Sequence, residues 1–179
     1  MPGGALALFI LWLTYLMGMP DSPEFPASSH LLFTYGTLML TTGIPAVDDA
    51  MRSAGVSLGR AYAHGRLFDL GEYPGAVAAS VAQPADEDAP KVWGHLLRLT
   101  DPAALFAVLD SYEGYDPGDI QASEFVRAET EIRFSGTGAT ARAQVYWYNF
   151  ATESREAILP GDYLAHWSAK GKPQARRLV

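Results

Sequence analysis

The sequence predicts a mixed α/β domain (an α+β arrangement), a small closed or strongly curved sheet with helices packed beside it. Three observations carry this. The 179 residues are one domain's worth of chain, a length at which folding removes about 70% of the unfolded surface from water. Short β-prone runs recur along it, bounded by glycine, proline and acidic turns. Two segments switch to helical spacing and carry start and stop signals.

In order, Leu31-Leu32-Phe33-Thr34-Tyr35 is an apolar run ended by Gly36, the pattern of a buried strand and a turn. Residues 45–54 read as a short helix with Val47, Ala50 and Met51 inward, Pro45 in the first turn and Gly55 closing it. Residues 56–70 and 76–82 are strand-like around the turn-rich Gly71-Glu72-Tyr73-Pro74-Gly75. Residues 83–90 form a polar loop with three consecutive acids, and residues 91–99 are a strand. Asp101-Pro102 starts a helix, with a capping acid and a first-turn proline. Leu105, Val108, Leu109 and Tyr112 follow at the spacing of a core-facing stripe, and Gly114 ends it. Residues 124–134 and 141–149 are two further strands around the hairpin turn Ser135-Gly136-Thr137-Gly138. Residues 162–169 suit a terminal helical turn.

Composition removes several function classes. Against 20 Asp+Glu stand 13 Lys+Arg, a net charge of −7. The cations are scattered singly until Arg176-Arg177, so no nucleic-acid partner is expected. Cysteine is absent, which excludes disulfides, thiolate metal sites and cysteine nucleophiles. His30, His64, His95 and His166 lie far apart without metal-ligand spacing, and no metal is expected.

Residues 5–17 are apolar apart from Thr14, and no charge appears before Asp21. The run is short for a membrane span and lacks the basic flank of a secretory signal. It reads as an overextended start, a weak membrane anchor or signal, or a helix packed on the domain. The expected organisation is therefore an outside segment over residues 1–29, ending in a Pro/Ser linker, a domain over 30–170 and a basic tail over 171–179. The cytoplasm is the expected compartment, with the anchor or signal as the alternative. Oligomeric state is left open.

The chemistry starts with Glu113. Helical geometry puts it about 90° from the centre of the apolar stripe, at the border of core and solvent. It also sits in the last helical turn, where the backbone dipole is negative. Partial burial acts the same way and raises a carboxyl pKa, which suits proton transfer near neutrality. Asp110 points away by the same count and reads as a solvated helix acid. Tyr35-Gly36-Thr37-Leu38 is the second candidate, because a strand ending in glycine can turn backbone N–H groups toward an anion. Gly36 permits unusual dihedrals and close approach of a ligand. Gly55-Val56-Ser57-Leu58-Gly59 matches the G-x-S-x-G nucleophile pattern in letters only. That elbow needs a strand before the serine and a helix after it, and here the order is reversed.

These residues resemble the γ-glutamylcyclotransferase-like (AIG2-like) family. Phe33-Thr34-Tyr35-Gly36-Thr37-Leu38 is similar to its Y-G-[ST]-L signature, and Tyr73-Pro74-Gly75-Ala76-Val77 to its Y-P-G-A-V segment. Val92-Trp93-Gly94-His95-Leu96 resembles the V-x-G-x-[VL] strand, and Leu109-Asp110-Ser111-Tyr112-Glu113-Gly114-Tyr115 the L-D-x-[FY]-E-G-[YF] segment with the family's catalytic glutamate. Phe125-Val126-Arg127, Tyr146-Trp147-Tyr148 and Gly161-Asp162-Tyr163 match later motifs, so the likeness spans about residues 31–167 in family order.

The resemblance implies a small mixed β-barrel with flanking helices and attack of a γ-glutamyl α-amine on its own side-chain carbonyl. A small γ-glutamyl compound is the implied substrate, 5-oxoproline and an amine or amino acid the products, and no cofactor is implied. Glu113 is the implied general acid/base. Tyr35, Gly36, Thr37, Leu38, Tyr73, Arg127 and Tyr148 are the expected substrate-binding residues. One departure stands out: the family's basic or polar stretch after Y-G-T-L is Met39-Leu40-Thr41-Thr42-Gly43 here. A non-catalytic small-anion-binding domain on the same fold, possibly membrane-tethered, is the alternative.

Overall fold

A computed structural model describes residues 25–79 and 88–171. The apolar run over residues 5–17, residues 80–87 of the expected strand and polar loop, and residues 172–179 of the basic tail lie outside them. Among the described residues seven strands form in chain order: β1 (Leu31–Thr34), β2 (Gly55–Asp69), β3 (Pro74–Ala78), β4 (Lys91–Leu99), β5 (Phe125–Phe134), β6 (Thr140–Tyr148) and β7 (Glu156–Ala157). Three helices accompany them: α1 (Pro45–Ser53), α2 (Pro102–Tyr112) and α3 (Tyr163–Ala169).

Five of the strands make a closed mixed barrel. The ring runs β2-β4-β1-β6-β5 and returns to β2 through the pairs Ala61↔Phe134 and Tyr62↔Arg133. Every junction is antiparallel except that of β1 with β6. The long β2 serves two sheets. Its first part pairs β4 from Gly55 to His64, and its last five residues carry β3 and the two-residue β7.

All four residues of β1 are buried. Leu31 and Phe33 join Ala61, Leu96, Ile132 and Val145 in one core, while Leu32 joins Val47, Met51, Leu105 and Leu109 in another beside the helices. A strand covered on both faces is apolar without alternation, which is why the run is continuous in sequence. Gly94 on β4 is fixed by that crossing. A Cβ there would lie 2.0 Å from the Thr34 carbonyl oxygen.

The helices follow their sequence signals. In α1, Pro45 occupies the first turn and Val47 and Met51 are buried. Its buried Asp48 accepts from Thr42 N and Oγ1 at 2.7 and 2.8 Å and from Gly43 N at 3.3 Å. Burial alone would raise this carboxyl; the bonds from Thr42 and Gly43 outweigh it and hold it below the usual range. In α2, Asp101 caps the Ala104 amide at 3.1 Å, and Leu105 and Leu109 are buried. Leu109→Ala would cost about 2–5 kcal/mol at such a site. Phe106, outside the expected stripe, is buried too, beneath the Arg127 guanidinium at 4.3 Å from the ring centroid.

Parts of the expected linker lie against the barrel. Phe25 stacks on Phe134 at 5.2 Å, and Ser28 donates to Glu129. At the other end, Asp162 caps α3 and pairs with Arg60 at 2.8 Å. Asp69 accepts from His166 Nε2 at 3.0 Å and from Lys170 Nζ. The bonds from Lys170 and His166 hold the Asp69 carboxyl far below the usual range. No helix among the described residues is long and apolar enough to cross a membrane.

Candidate active site

The loop leaving β1 and the C-terminal end of α2 meet over a cavity of about 150 Å³. Tyr35, Gly36, Thr37, Leu38, Tyr73 and Glu113 of the expected site line it, together with Tyr112, Glu124, Phe125 and Tyr146 among others. Arg127 and Tyr148 do not line it.

Glu113 is the residue at which α2 stops. Its N–H still bonds to the Leu109 carbonyl at 2.8 Å, and the next residue, Gly114, turns the chain at φ +61°. This stop aims the side chain at the cavity rather than along the helix surface. Among the described residues no group donates a hydrogen bond to its carboxyl. Burial, reinforced by the charge of Glu124, pushes that carboxyl up to about 8.

After β1 the chain makes a 3-10 turn over Thr37–Met39, closed by Leu40 N to Thr37 O at 2.8 Å. The opening amides of such a turn have no partner within it. Gly36 takes φ −130° and ψ −137°, outside the left-handed region, so unusual dihedrals are not what fixes glycine here. Space fixes it: a Cβ would lie 2.8 Å from Pro74 Cγ. Thr37 Oγ1 stands 3.4 Å from the Tyr112 hydroxyl.

Tyr35 contributes a wall and no free hydroxyl. Its Oη donates to the Tyr146 carbonyl at 2.6 Å and accepts from Ala76 N at 3.4 Å. Burial first, and then the nearby Glu113 charge, raise this phenol. Tyr73 closes the opposite side by donating to Glu124 Oε1 at 2.5 Å; that bond, with partial burial, pushes the phenol up to about 12.

Two expected positions have other work. Arg127 lies two residues beyond Phe125 on β5 and forks onto Asp110, with Nε at 2.8 Å and Nη2 at 3.1 Å. Asp110 also accepts from the Tyr146 hydroxyl at 2.6 Å. The reading of Asp110 as a solvated helix acid is therefore corrected: β5 and β6 pass that flank of α2 and supply three donors. Tyr148 shares the face of Tyr146 but sits one repeat too far. It packs on Phe125 and Phe150 at 5.4 and 5.8 Å, tight against Gly75. Ser57 lies inside β2, paired with Leu97, so no nucleophile elbow exists around it.

Sequence reasoning passed over Glu124, Tyr112 and Tyr146. Tyr112 and Tyr146 stand inside motifs that were singled out, the first as a stripe residue and the second as part of the aromatic strand. Glu124 has no signal of its own. Its place comes from backbone bonds, its N–H to Gly114 O at 3.2 Å and its C=O to Asn149 N at 2.9 Å.

This barrel, with a cavity between the loop after β1 and the end of α2, is the AIG2-like fold. An AIG2-like protein from Mus musculus shares it at TM-score 0.53 and 18% identity, over 82% of this chain and 96% of that one. A solved structure of a protein from Arabidopsis thaliana matches at TM-score 0.51 and 18% identity, over 84% of this chain and 79% of that one. Residues 32–165 match the family model described as gamma-glutamyl cyclotransferase, AIG2-like, and the chain belongs to that family. Compared with the curated proteins, it matches none.

Proposed function

We propose that the protein is a γ-glutamylcyclotransferase-type enzyme, closing a γ-glutamyl group to 5-oxoproline with Glu113 as general acid/base. The observation that carries this reading is the Glu113 carboxyl in the cavity, without a protein donor and raised to about 8. A carboxyl poised near neutrality can both take a proton from an ammonium group and return one to a leaving amine.

The α-ammonium of the substrate gives a proton to Glu113, and the freed amine attacks the γ-carbonyl carbon. The new C–N bond closes a five-membered ring. Collapse of the tetrahedral intermediate breaks the bond to the leaving nitrogen, which is protonated as it departs. Of the three ammonium protons, one stays on the lactam nitrogen and two end on the released amine. The opening amides of the turn after Gly36 suit the developing oxyanion or the α-carboxylate, and the small cavity holds amine and carbonyl in one bent conformer. The lining contains two carboxylates and no Lys, Arg or His, which counts against the anion-binding alternative.

The test is a panel of γ-glutamyl dipeptides and γ-glutamylamines, with 5-oxoproline read by mass spectrometry. Product from at least one compound is expected; none from any of them overturns the reading.

A further inference from the structure

Glu124 is the cavity's second acid, and the cyclisation scheme above gives it no task. It is held rigidly. Its backbone is bonded to Gly114 and Asn149, and a Cβ on Gly114 would lie 3.6 Å from its own Cβ, so it stands directly across from the residue that follows Glu113. One carboxyl oxygen, Oε1, takes the Tyr73 hydroxyl. No other group among the described residues donates to the carboxylate, so Oε2 is left for a ligand. No basic side chain lines the cavity to compensate the pair of acids. Two half-buried carboxylates in so small a space, one of them without any donor among the described residues, call for a cation.

We propose that Glu124 is a second catalytic carboxylate, which pairs with the substrate's α-ammonium and, neutralised by it, frees Glu113 to act as base. The inference rests on the cyclotransferase reading and names which group of the substrate each acid meets. Without substrate, burial and the Glu124 charge keep the proton on Glu113 up to about pH 8. An ammonium group lodged between the two acids cancels part of that field, and Glu113 then releases its proton where it is needed. The enzyme is thereby switched to its basic form by the chemical group it is to deprotonate. The remaining groups around the pair are phenols. Tyr35 from the end of β1, Tyr112 from α2 and Tyr146 from β6 feel the Glu113 charge, while Tyr73 bonds to Glu124 and is itself within reach of Arg155.

Glu124→Gln keeps the size of the side chain and the backbone bonds while removing the charge. Loss of one charge-assisted contact should raise KM for the best γ-glutamyl substrate about 10- to 100-fold. Because a negative neighbour raises a carboxyl pKa, its removal should move the acidic limb of kcat/KM to lower pH. Glu124→Asp, which retains the charge, should leave that limb near its wild-type position. A glutaramide lacking the α-amine, used as a competitive inhibitor, should bind wild type and Glu124→Gln equally. Wild-type KM and an unmoved limb in Glu124→Gln, or an equal loss of inhibitor affinity, overturn the inference alone. Absence of 5-oxoproline with the wild-type chain overturns the cyclotransferase reading as well.

Discussion

On one flank of α2, Asp110 accepts from Arg127 twice and from Tyr146 once. One turn further on, Glu113 faces the cavity, and no group among the described residues donates to it. The two carboxyls share a helix and lie three residues apart, yet they sit in opposite environments. The first is a satisfied joint between α2, β5 and β6, and its partner Arg127 is further covered by the rings of Phe106 and Tyr115. The second is a half-buried carboxyl that meets no donor among the described residues, and burial with the Glu124 charge raises it. Asp110 is thereby assigned to stability and Glu113 to the proposed chemistry, and each assignment can be tested by substitution.

The largest effect should come from Glu113→Gln. Turnover should fall about 10²–10⁴-fold, the usual worth of proton-transfer catalysis. The same change should stabilise the fold, and the sign depends on pH. Folding raises this carboxyl from 4.5 to about 8, so the folded state holds the extra proton and loses stability as pH rises through that window. The stabilisation by Gln is therefore greatest above pH 8 and vanishes below about pH 4.5. Thermal melts at pH 6 and pH 9 check it. An unchanged melting temperature at both would mean that the carboxyl is solvated.

Asp110→Ala should do the reverse. It strands Arg127 and the Tyr146 hydroxyl, at a cost of about 2–3 kcal/mol for a partly buried network, while the folded fraction keeps its turnover within a few-fold. Asp110→Leu combined with Arg127→Met removes both charges together and should recover part of that loss. Urea midpoints of the two variants decide the matter; if the double variant is worse than Asp110→Ala, the network contributes through more than charge satisfaction.

Tyr35→Phe gives the smallest effect. Its hydroxyl is consumed by Tyr146 O and Ala76 N, so about 1 kcal/mol of stability should go and KM should stay. A rise in KM without loss of stability would place that hydroxyl in contact with substrate instead.

How much of this was readable beforehand follows from the range of each interaction. Glu113 is found from its own helix, because the period that buries Leu105 and Leu109 also sets the border at which it stands. Asp110 is misread by the same wheel. The angle reports distance from the apolar stripe and nothing of the donors brought from 17 and 36 residues away. Strand positions β1, β4, β5 and β6 come from local apolar runs and turn residues, and α1 and α2 from their prolines and caps. β7 is two residues long and carries no period. Tyr148 and Arg127 were expected at the site from the family resemblance, and a strand motif does not tell which of its residues reach the cavity. Glu124 enters through backbone hydrogen bonds, to which side-chain patterns are blind.

The two halves of the barrel are fastened by only two residue pairs between β2 and β5 and one between β1 and β6, beside nine between β2 and β4 and nine between β5 and β6. Ring closure of this kind joins parts of the chain some 70 to 110 residues apart, and the entropy of looping those spans must be met before these few pairs return anything. Assembly then has a natural order, in which the β5–β6 hairpin and the β2–β4 ladder form first and the clasp last. The cavity wall draws on both halves, with Tyr35 and Tyr73 from one and Phe125 and Tyr146 from the other. Until those junctions close there is no finished cavity, so the pocket is completed only at the final step of becoming a barrel.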